Sequence, residues 1–299
     1  MRVLRSIFAV ATVVFSVNAA LAQDRPRVVT VNQALHDLVV RLVDGTAEVV
    51  FPVPEGVDPS FWRPSIADIS VVQSADLILL NGAGFATWVD RVSLPRARVV
   101  NTSRAIEDQF IVTESITHSH GDGGEHSHEG LASYTWLDPM LAVAQAEAVA
   151  SAVIARDLAP AEDVEARLAD LRSELTALDA TAQDALSNLR GVKMIATHPR
   201  YQYFARRYGL SVTSLEWDAG AIPTTDQLAE LKRLSTELDA SILIWEAQPP
   251  RAATEATDAL GLQSVVFEPG ASQGTHDTFI EAYESAVSNL TEAANQNSN

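Results

Sequence analysis

The sequence predicts an α/β protein of two lobes, each built on a parallel sheet flanked by helices, with one long backbone helix joining them. Three observations predict it. Short apolar, β-branched runs alternate with helical stretches between residues 27 and 102, the same alternation returns after residue 190, and an unbroken helical pattern lies between. Apolar strands separated by helices are buried on both faces, which is the signature of a parallel sheet covered by helices.

In the first lobe the strand candidates are Arg27 to Asn32, Glu48 to Val53, Asp76 to Asn81 and Arg98 to Thr102, with helices over Ala34 to Val43 and Ser65 to Ser74. Asp138-Pro139 places a capping carboxylate before a proline suited to the first helical position, so a helix begins near 139. Val164, Leu168, Leu171, Leu175, Leu178, Ala182 and Leu189 then form a near-heptad apolar stripe with no internal Gly or Pro, predicting one helix from about Ala161 to Asn188. At 1.5 Å per residue it is roughly 40 Å long, enough to reach across both lobes. A coiled-coil partner would also explain the stripe, but packing on the chain's own lobes is simpler. The second lobe offers strands Val192 to Thr197, Leu210 to Leu215, Ser241 to Trp245 and Ser264 to Phe267. Thr224 with Gln227 fits a capping box, opening a helix near 225, and a last helix runs from about Thr275.

Residues 1–22 carry Arg2 and Arg5, an apolar run from Ile7 to Val17, and Ala20-Leu21-Ala22, the layout of a secretory signal cleaved after Ala22. The expected division is therefore a signal peptide at 1–22, an N-terminal lobe at 23–160, the connecting helix at 161–190 and a C-terminal lobe at 191–299. No cysteine follows the signal to carry a lipid, and an exported, periplasmic product is expected. The net charge of −18 becomes −20 on loss of the leader, whose only charged side chains are two arginines; such a chain repels nucleic acid and anionic membranes and attracts cations. With no Cys anywhere, disulfides, thiolate metal sites and cysteine nucleophiles are excluded, so any metal must be held by His, Asp, Glu or weaker oxygen donors.

Four of the seven histidines, His118, His120, His126 and His128, fall in the glycine-softened segment 117–130, which also holds Asp122, Glu125 and Glu129. Neutral imidazole is a borderline-soft donor suited to Zn²⁺, Cu²⁺ or Ni²⁺, and two His-Ser-His triplets on one tether can close round an ion. A solvated linker with incidental histidines is the plain alternative. At the carboxyl ends of the second lobe's strands, where doubly wound sheets bind ligands, stand His198, Glu216 with Trp217, Glu246 and Glu268. A histidine among carboxylates there suits a cation, although any one of these residues can equally be a cap or an ion-pair partner.

These residues carry a family resemblance. Val53-Pro-Glu-Gly-Val-Asp-Pro59 followed by Trp62 and Pro64, Ala75-Asp-Leu-Ile-Leu-Leu-Asn-Gly82, Trp136-Leu-Asp-Pro139, and His198 with Tyr201, Tyr203 and Tyr208-Gly-Leu210 together resemble the metal-binding solute-binding proteins of bacterial zinc and manganese ABC transporters, the solute-binding protein 9 family. The resemblance implies two α/β lobes on a rigid helix, with one metal ion in the ligand cleft between the lobes. It further implies delivery to an ABC transporter membrane permease, with zinc ahead of manganese as cargo. Zinc-selective members are similar in carrying a His-rich loop just before the segment that is here Tyr134-Thr-Trp-Leu-Asp-Pro139.

The same resemblance implies a metal held by three histidines and a carboxylate or water. His198 matches the third position and Glu268 the fourth, whereas Ser60 and Tyr134 stand where the first two histidines would be. Neutral hydroxyls are weak donors, and a phenol must lose its proton to compete, so metal affinity falls or His126 or His128 folds in as a replacement. Two alternatives keep the fold: a periplasmic zinc buffer or chaperone working through the loop, or a cleft for a different ligand, for which Trp62, Trp136, Trp217 and Trp245 would supply an aromatic lining. A Ser60, His198, Glu268 catalytic set lacks a nucleophile elbow, and no enzyme is expected. The expected partner is the permease, with a periplasmic metallochaperone as a second candidate, and the chain is expected to be a monomer.

Overall fold

The structure is a computed structural model and describes residues 25–113, 130–217 and 220–297. The expected leader, its cleavage point and His118, His120, His126 and His128 lie outside the described residues. The first lobe runs β1 (Arg27–Thr30), α1 (Gln33–Val43), β2 (Glu48–Val50), α2 (Ile66–Ser74), β3 (Leu77–Leu80) and β4 (Val99–Asn101). A short antiparallel pair, β5 (Val112–Thr113) and β6 (Gly130–Leu131), joins the two ends of the His-rich segment. Then come α3 (Pro139–Ala155), the long α4 (Ala161–Ala185), and the second lobe: β7 (Lys193–Ala196), α5 (Gln202–Tyr208), β8 (Ser211–Ser214), α6 (Thr225–Leu238), β9 (Ala240–Trp245), α7 (Arg251–Asp258), β10 (Gln263–Val266) and α8 (Phe279–Asn297).

Each lobe holds a four-stranded, all-parallel sheet, ordered β2-β1-β3-β4 in the first and β10-β9-β7-β8 in the second. Counted within each lobe the two orders are the same. The central strands are apolar on both faces because helices cover both: Val28, Val29, Leu77, Ile78 and Leu79 are buried, as are Met194, Ile195, Leu243 and Ile244. Most strands are a residue or more shorter than their predicted runs, whereas β9 starts one residue earlier, at Ala240, and β10 is shifted back by one residue. In β2 the reason is chemical, since Pro52 and Pro54 lack the N–H that a ladder needs.

Helix starts follow their caps. Asn32 accepts from the Leu35 amide at 2.8 Å, Ser65 with Asp68 and Thr224 with Gln227 form capping boxes, and Asp138 accepts from Met140 N ahead of Pro139. The last helix begins at Phe279 rather than near Thr275. Thr278 and Glu281 make the capping box there, Thr278 Oγ1 accepting from Glu281 N at 3.2 Å while Glu281 Oε2 accepts from Thr278 N, and Thr275 is engaged elsewhere.

Helix α4 buries Val164, Leu171, Leu175, Leu178 and Ala182 against α3, α1 and α8, so its stripe is satisfied inside this chain. It ends at Ala185, and the 3₁₀ turn Ser187–Leu189 completes the predicted span. Opposite it, Arg207 on α5 forks onto the buried Asp179 of α4, which also accepts from Tyr208 Oη at 3.2 Å. One apolar cluster runs from β1 and α1 through α3, α4 and α8 to β9 and β10, and thus crosses both lobes.

Candidate functional site

The shared strand order puts a topological switch point between the first and third strands of each sheet, and ligands bind outside the carboxyl ends of strands at such points. In the second lobe β7 and β9 pair with Ala196 opposite Ile244, and Thr197 N donates to Ile244 O at 2.9 Å, so residues 198 and 246 leave the sheet level with one another. His198 Nδ1 accordingly lies 3.8 Å from Glu246 Oε1. The same nitrogen donates to the Trp217 carbonyl at 2.8 Å, an acceptor that assigns the proton to Nδ1 and leaves Nε2 with the ring's lone pair.

In the first lobe the switch point is filled by buried amides. Asn32 Nδ2 donates to Asn81 Oδ1 at 3.3 Å, Gln145 Nε2 donates to the same oxygen at 3.1 Å, and Asn81 Nδ2 donates to Ser133 O at 2.8 Å. This network anchors the segment that delivers Tyr134 to the cleft.

Arg200, two residues beyond His198, occupies the centre of the site. Its side chain is buried, Nε donates to Glu246 Oε2 at 3.0 Å, and one terminal nitrogen pairs with Asp58 from the first lobe. The other lies 3.4 Å from Ser60 Oγ, which itself donates to Asp58 Oδ1 at 2.6 Å. The guanidinium carbon lies over the Tyr134 ring, 4.7 Å from its centroid, and over the Phe61 ring, at 5.6 Å. Burial alone would favour loss of the arginine's proton, but attraction from the carboxylates of Asp58 and Glu246 outweighs it, and its pKa rises above the ordinary arginine value. Burial drives the Tyr134 phenol far above the usual tyrosine range despite the opposing pull of Arg200. That phenol stays protonated and is a poor ligand for any cation.

Ser60, Tyr134 and His198 are thus gathered around one arginine. Glu268 turns its carboxylate back to accept from Thr275 N and Oγ1 at 3.0–3.1 Å, close against Gly274, where a Cβ would stand 2.5 Å from Glu268 Oε2. Beside it opens a cavity of about 270 Å³ lined by Gln33, Asp58, Tyr134, Glu246, Glu268 and His276 among others. Among the described residues no group of three or more His, Asp or Glu side chains is arranged to hold a metal ion. The set Ser60, His198 and Glu268 does not form a catalytic relay, because Ser60 Oγ is turned to Asp58 and His198 Nδ1 to a backbone carbonyl. All five tryptophans are buried: Trp62 packs edge-on to Trp88, Trp217 against Trp245, and Trp136 against Phe85 and Tyr134. Sequence reasoning did not find Arg200 or Asp58. The signal was an arginine in the same strand-end turn as His198, in a chain where the neutral side chains of Ser60 and Tyr134 stand at both expected histidine positions.

The lobes meet across this site through directed contacts. Trp136 Nε1 donates to Pro269 O at 2.7 Å, Gln33 N to Ala271 O at 2.8 Å, and Phe279 N to Asp37 Oδ2 at 2.8 Å. Tyr203 Oη donates to Ala132 O at 3.1 Å and accepts from Ile111 N at 3.2 Å, tying α5 to the stem that carries the His-rich segment.

Two open parallel sheets of equal strand order, bridged by a long helix and facing each other across a cleft, define a two-lobed binding protein of the solute-binding class. The chain matches the family described as zinc-uptake complex component A, periplasmic (ZnuA), over residues 28–293, and it belongs to that family. It is similar to the high-affinity zinc uptake system protein ZnuA of Bacillus subtilis (strain 168), 26% identical over 75% of this chain and 71% of that one. It is similar also to the manganese ABC transporter substrate-binding lipoprotein PsaA of Streptococcus pneumoniae, 25% identical over 63% of this chain and 61% of that one. The chain spans 43% of the zinc-binding protein AdcA of Streptococcus pyogenes serotype M3, so it matches less than half of that longer relative. Among solved structures it shares its fold with the Zn(II)-bound ZnuA-like domain of Streptococcus pneumoniae AdcA, with a TM-score of 0.75 and 18% identity over 91% of this chain and all of that one.

Proposed function

We propose that this chain is the periplasmic solute-binding component of a metal-uptake ABC importer, that its cargo is zinc, and that it hands the ion to a membrane permease. The family match over residues 28–293 carries this proposal. The preference for zinc over manganese rests on imidazole: His118, His120, His126 and His128 offer borderline-soft nitrogen, whereas manganese favours carboxylate, carbonyl and water oxygen. The net negative charge draws cations to the protein.

The experiment is a competitive Zn²⁺ titration, with Mn²⁺ as rival, comparing the chelator-stripped exported chain with a version lacking residues 118–128. Zinc binding by the intact chain that Mn²⁺ fails to displace supports the zinc proposal, and an intact chain that binds no zinc sinks it. A second reading, in which zinc is buffered by the loop alone and the cleft serves another purpose, is favoured by Arg200 standing between Asp58 and Glu246. His198 and Glu268 by themselves are two donors, half of a zinc shell. Loss of all tight binding on deletion supports this second reading, and a tight site that survives deletion refutes it.

A further inference from the structure

We infer that Arg200 is the resident cation of the cleft: its guanidinium holds Asp58 and Glu246 together across the two lobes and thereby keeps divalent metal ions out. This goes beyond the zinc proposal and fails separately from it.

An imidazole and a carboxylate stand at the second lobe's switch point, and a second carboxylate reaches toward them from the first lobe. His198 has its Nδ1 proton fixed on the Trp217 carbonyl, the arrangement that leaves Nε2 free to bind a cation. Glu246 lies beside it, and Asp58 reaches in from the loop after β2. Such a set attracts a positive charge, and the structure provides one covalently. Arg200 satisfies Glu246 through Nε and Asp58 through a terminal nitrogen, and its third nitrogen reaches Ser60 Oγ. Its central carbon lies over the rings of Tyr134 and Phe61. Guanidinium suits this place because its fork makes directed bonds to two carboxylates at once and it is weakly hydrated, so it is buried at lower cost than an ammonium. An ion entering here would meet a buried fixed positive charge and two carboxylates already engaged, with a protonated phenol and a hydroxyl as the remaining neighbours.

Closure is the second consequence. Asp58 belongs to the first lobe, while Arg200 and Glu246 belong to the second, so the ion-pair bridge spans the cleft. It adds to the Trp136–Pro269 and Gln33–Ala271 hydrogen bonds, which also cross between lobes.

The test uses the full exported chain with His118, His120, His126 and His128 all changed to alanine, so that only the cleft is read. In this background a competitive Zn²⁺ titration is expected to show no site that His198→Ala alters. Arg200→Ala and Arg200→Met, each confirmed folded by circular dichroism, are expected to gain zinc affinity of at least about tenfold, one decade being the smallest step such a titration separates cleanly. Adding His198→Ala should abolish the gain. A tight, His198-dependent zinc site with Arg200 intact would overturn the inference, and that comparison requires no arginine variant to fold. Folded Arg200 variants that gain no zinc affinity would overturn it too. An unmodified chain that binds no zinc defeats the zinc proposal instead and leaves the resident cation in place.

Discussion

Arg200→Met isolates the charge from the volume, because methionine refills most of the space between Tyr134 and Phe61 while removing every donor. The Arg200 side chain is 6% exposed, Glu246 is 10% exposed and Asp58 is 33% exposed. Removing one partner of a buried pair costs about 3–5 kcal/mol, since the other charge stays buried without compensation. Asp58 can turn to water, so most of the cost falls on Glu246, and loss of the stacked cation adds up to about 1 kcal/mol. A destabilisation of about 4 kcal/mol is expected. For a chain of this size, at about 2–4 °C per kcal/mol, Tm should fall by roughly 8–16 °C. The double change Arg200→Met with Glu246→Gln removes both charges and should recover about 1–2 kcal/mol relative to the sum of the single effects. Urea unfolding followed by tryptophan fluorescence, with chelator present throughout, measures both quantities. An Arg200→Met cost below about 1 kcal/mol, or strict additivity in the double variant, would refute the idea that Arg200 neutralises a buried carboxylate across the cleft.

Leu175→Ala empties a fully buried position on α4 and should cost about 2–5 kcal/mol in the same unfolding assay. Thr30 Oγ1 is buried with no hydrogen-bond partner among the described residues, so Thr30→Val should be neutral or stabilise by up to about 1 kcal/mol, and a clear loss would reveal a partner for that hydroxyl. Trp136→Phe removes the donor to Pro269 O and should cost about 1–3 kcal/mol, with increased protease cutting between the lobes as a second readout. Burial raises the Asp138 pKa above its ordinary 3.8, so the folded state takes up this proton at higher pH than the unfolded state. Its contribution to stability therefore improves as pH falls through the folded value, and Asp138→Asn should remove that component from a stability-versus-pH profile.

Most of the fold was legible because it depends on local patterns. The apolar runs at Val28-Val29 and Leu77-Ile78-Leu79 are strands wherever helices cover both faces, and Asn32, Ser65, Asp138 and Thr224 cap helices by bonds made within three residues. The start of the last helix was misplaced because Thr278 and Glu281 outcompete Thr275, which is drawn away by Glu268. The site was legible only in outline. His198 and Glu246 could be placed at strand ends from the strand pattern, but their 3.8 Å separation depends on β7 pairing directly with β9, a neighbour relation between strands 40 and more residues apart.

By itself the sequence determined the two-lobed α/β plan, the spanning helix and the exclusion of thiolate chemistry, because periodicity, capping and composition act over a few residues or over the whole chain without regard to path. Tertiary structure alone decided what fills the cleft. Asp58 and Arg200 lie 142 positions apart, and no local rule distinguishes a solvated arginine from one buried between two carboxylates. That difference arises only when the loop after β2 and the end of β7 are brought face to face, where low polarity makes a single positive charge strong enough to bind both.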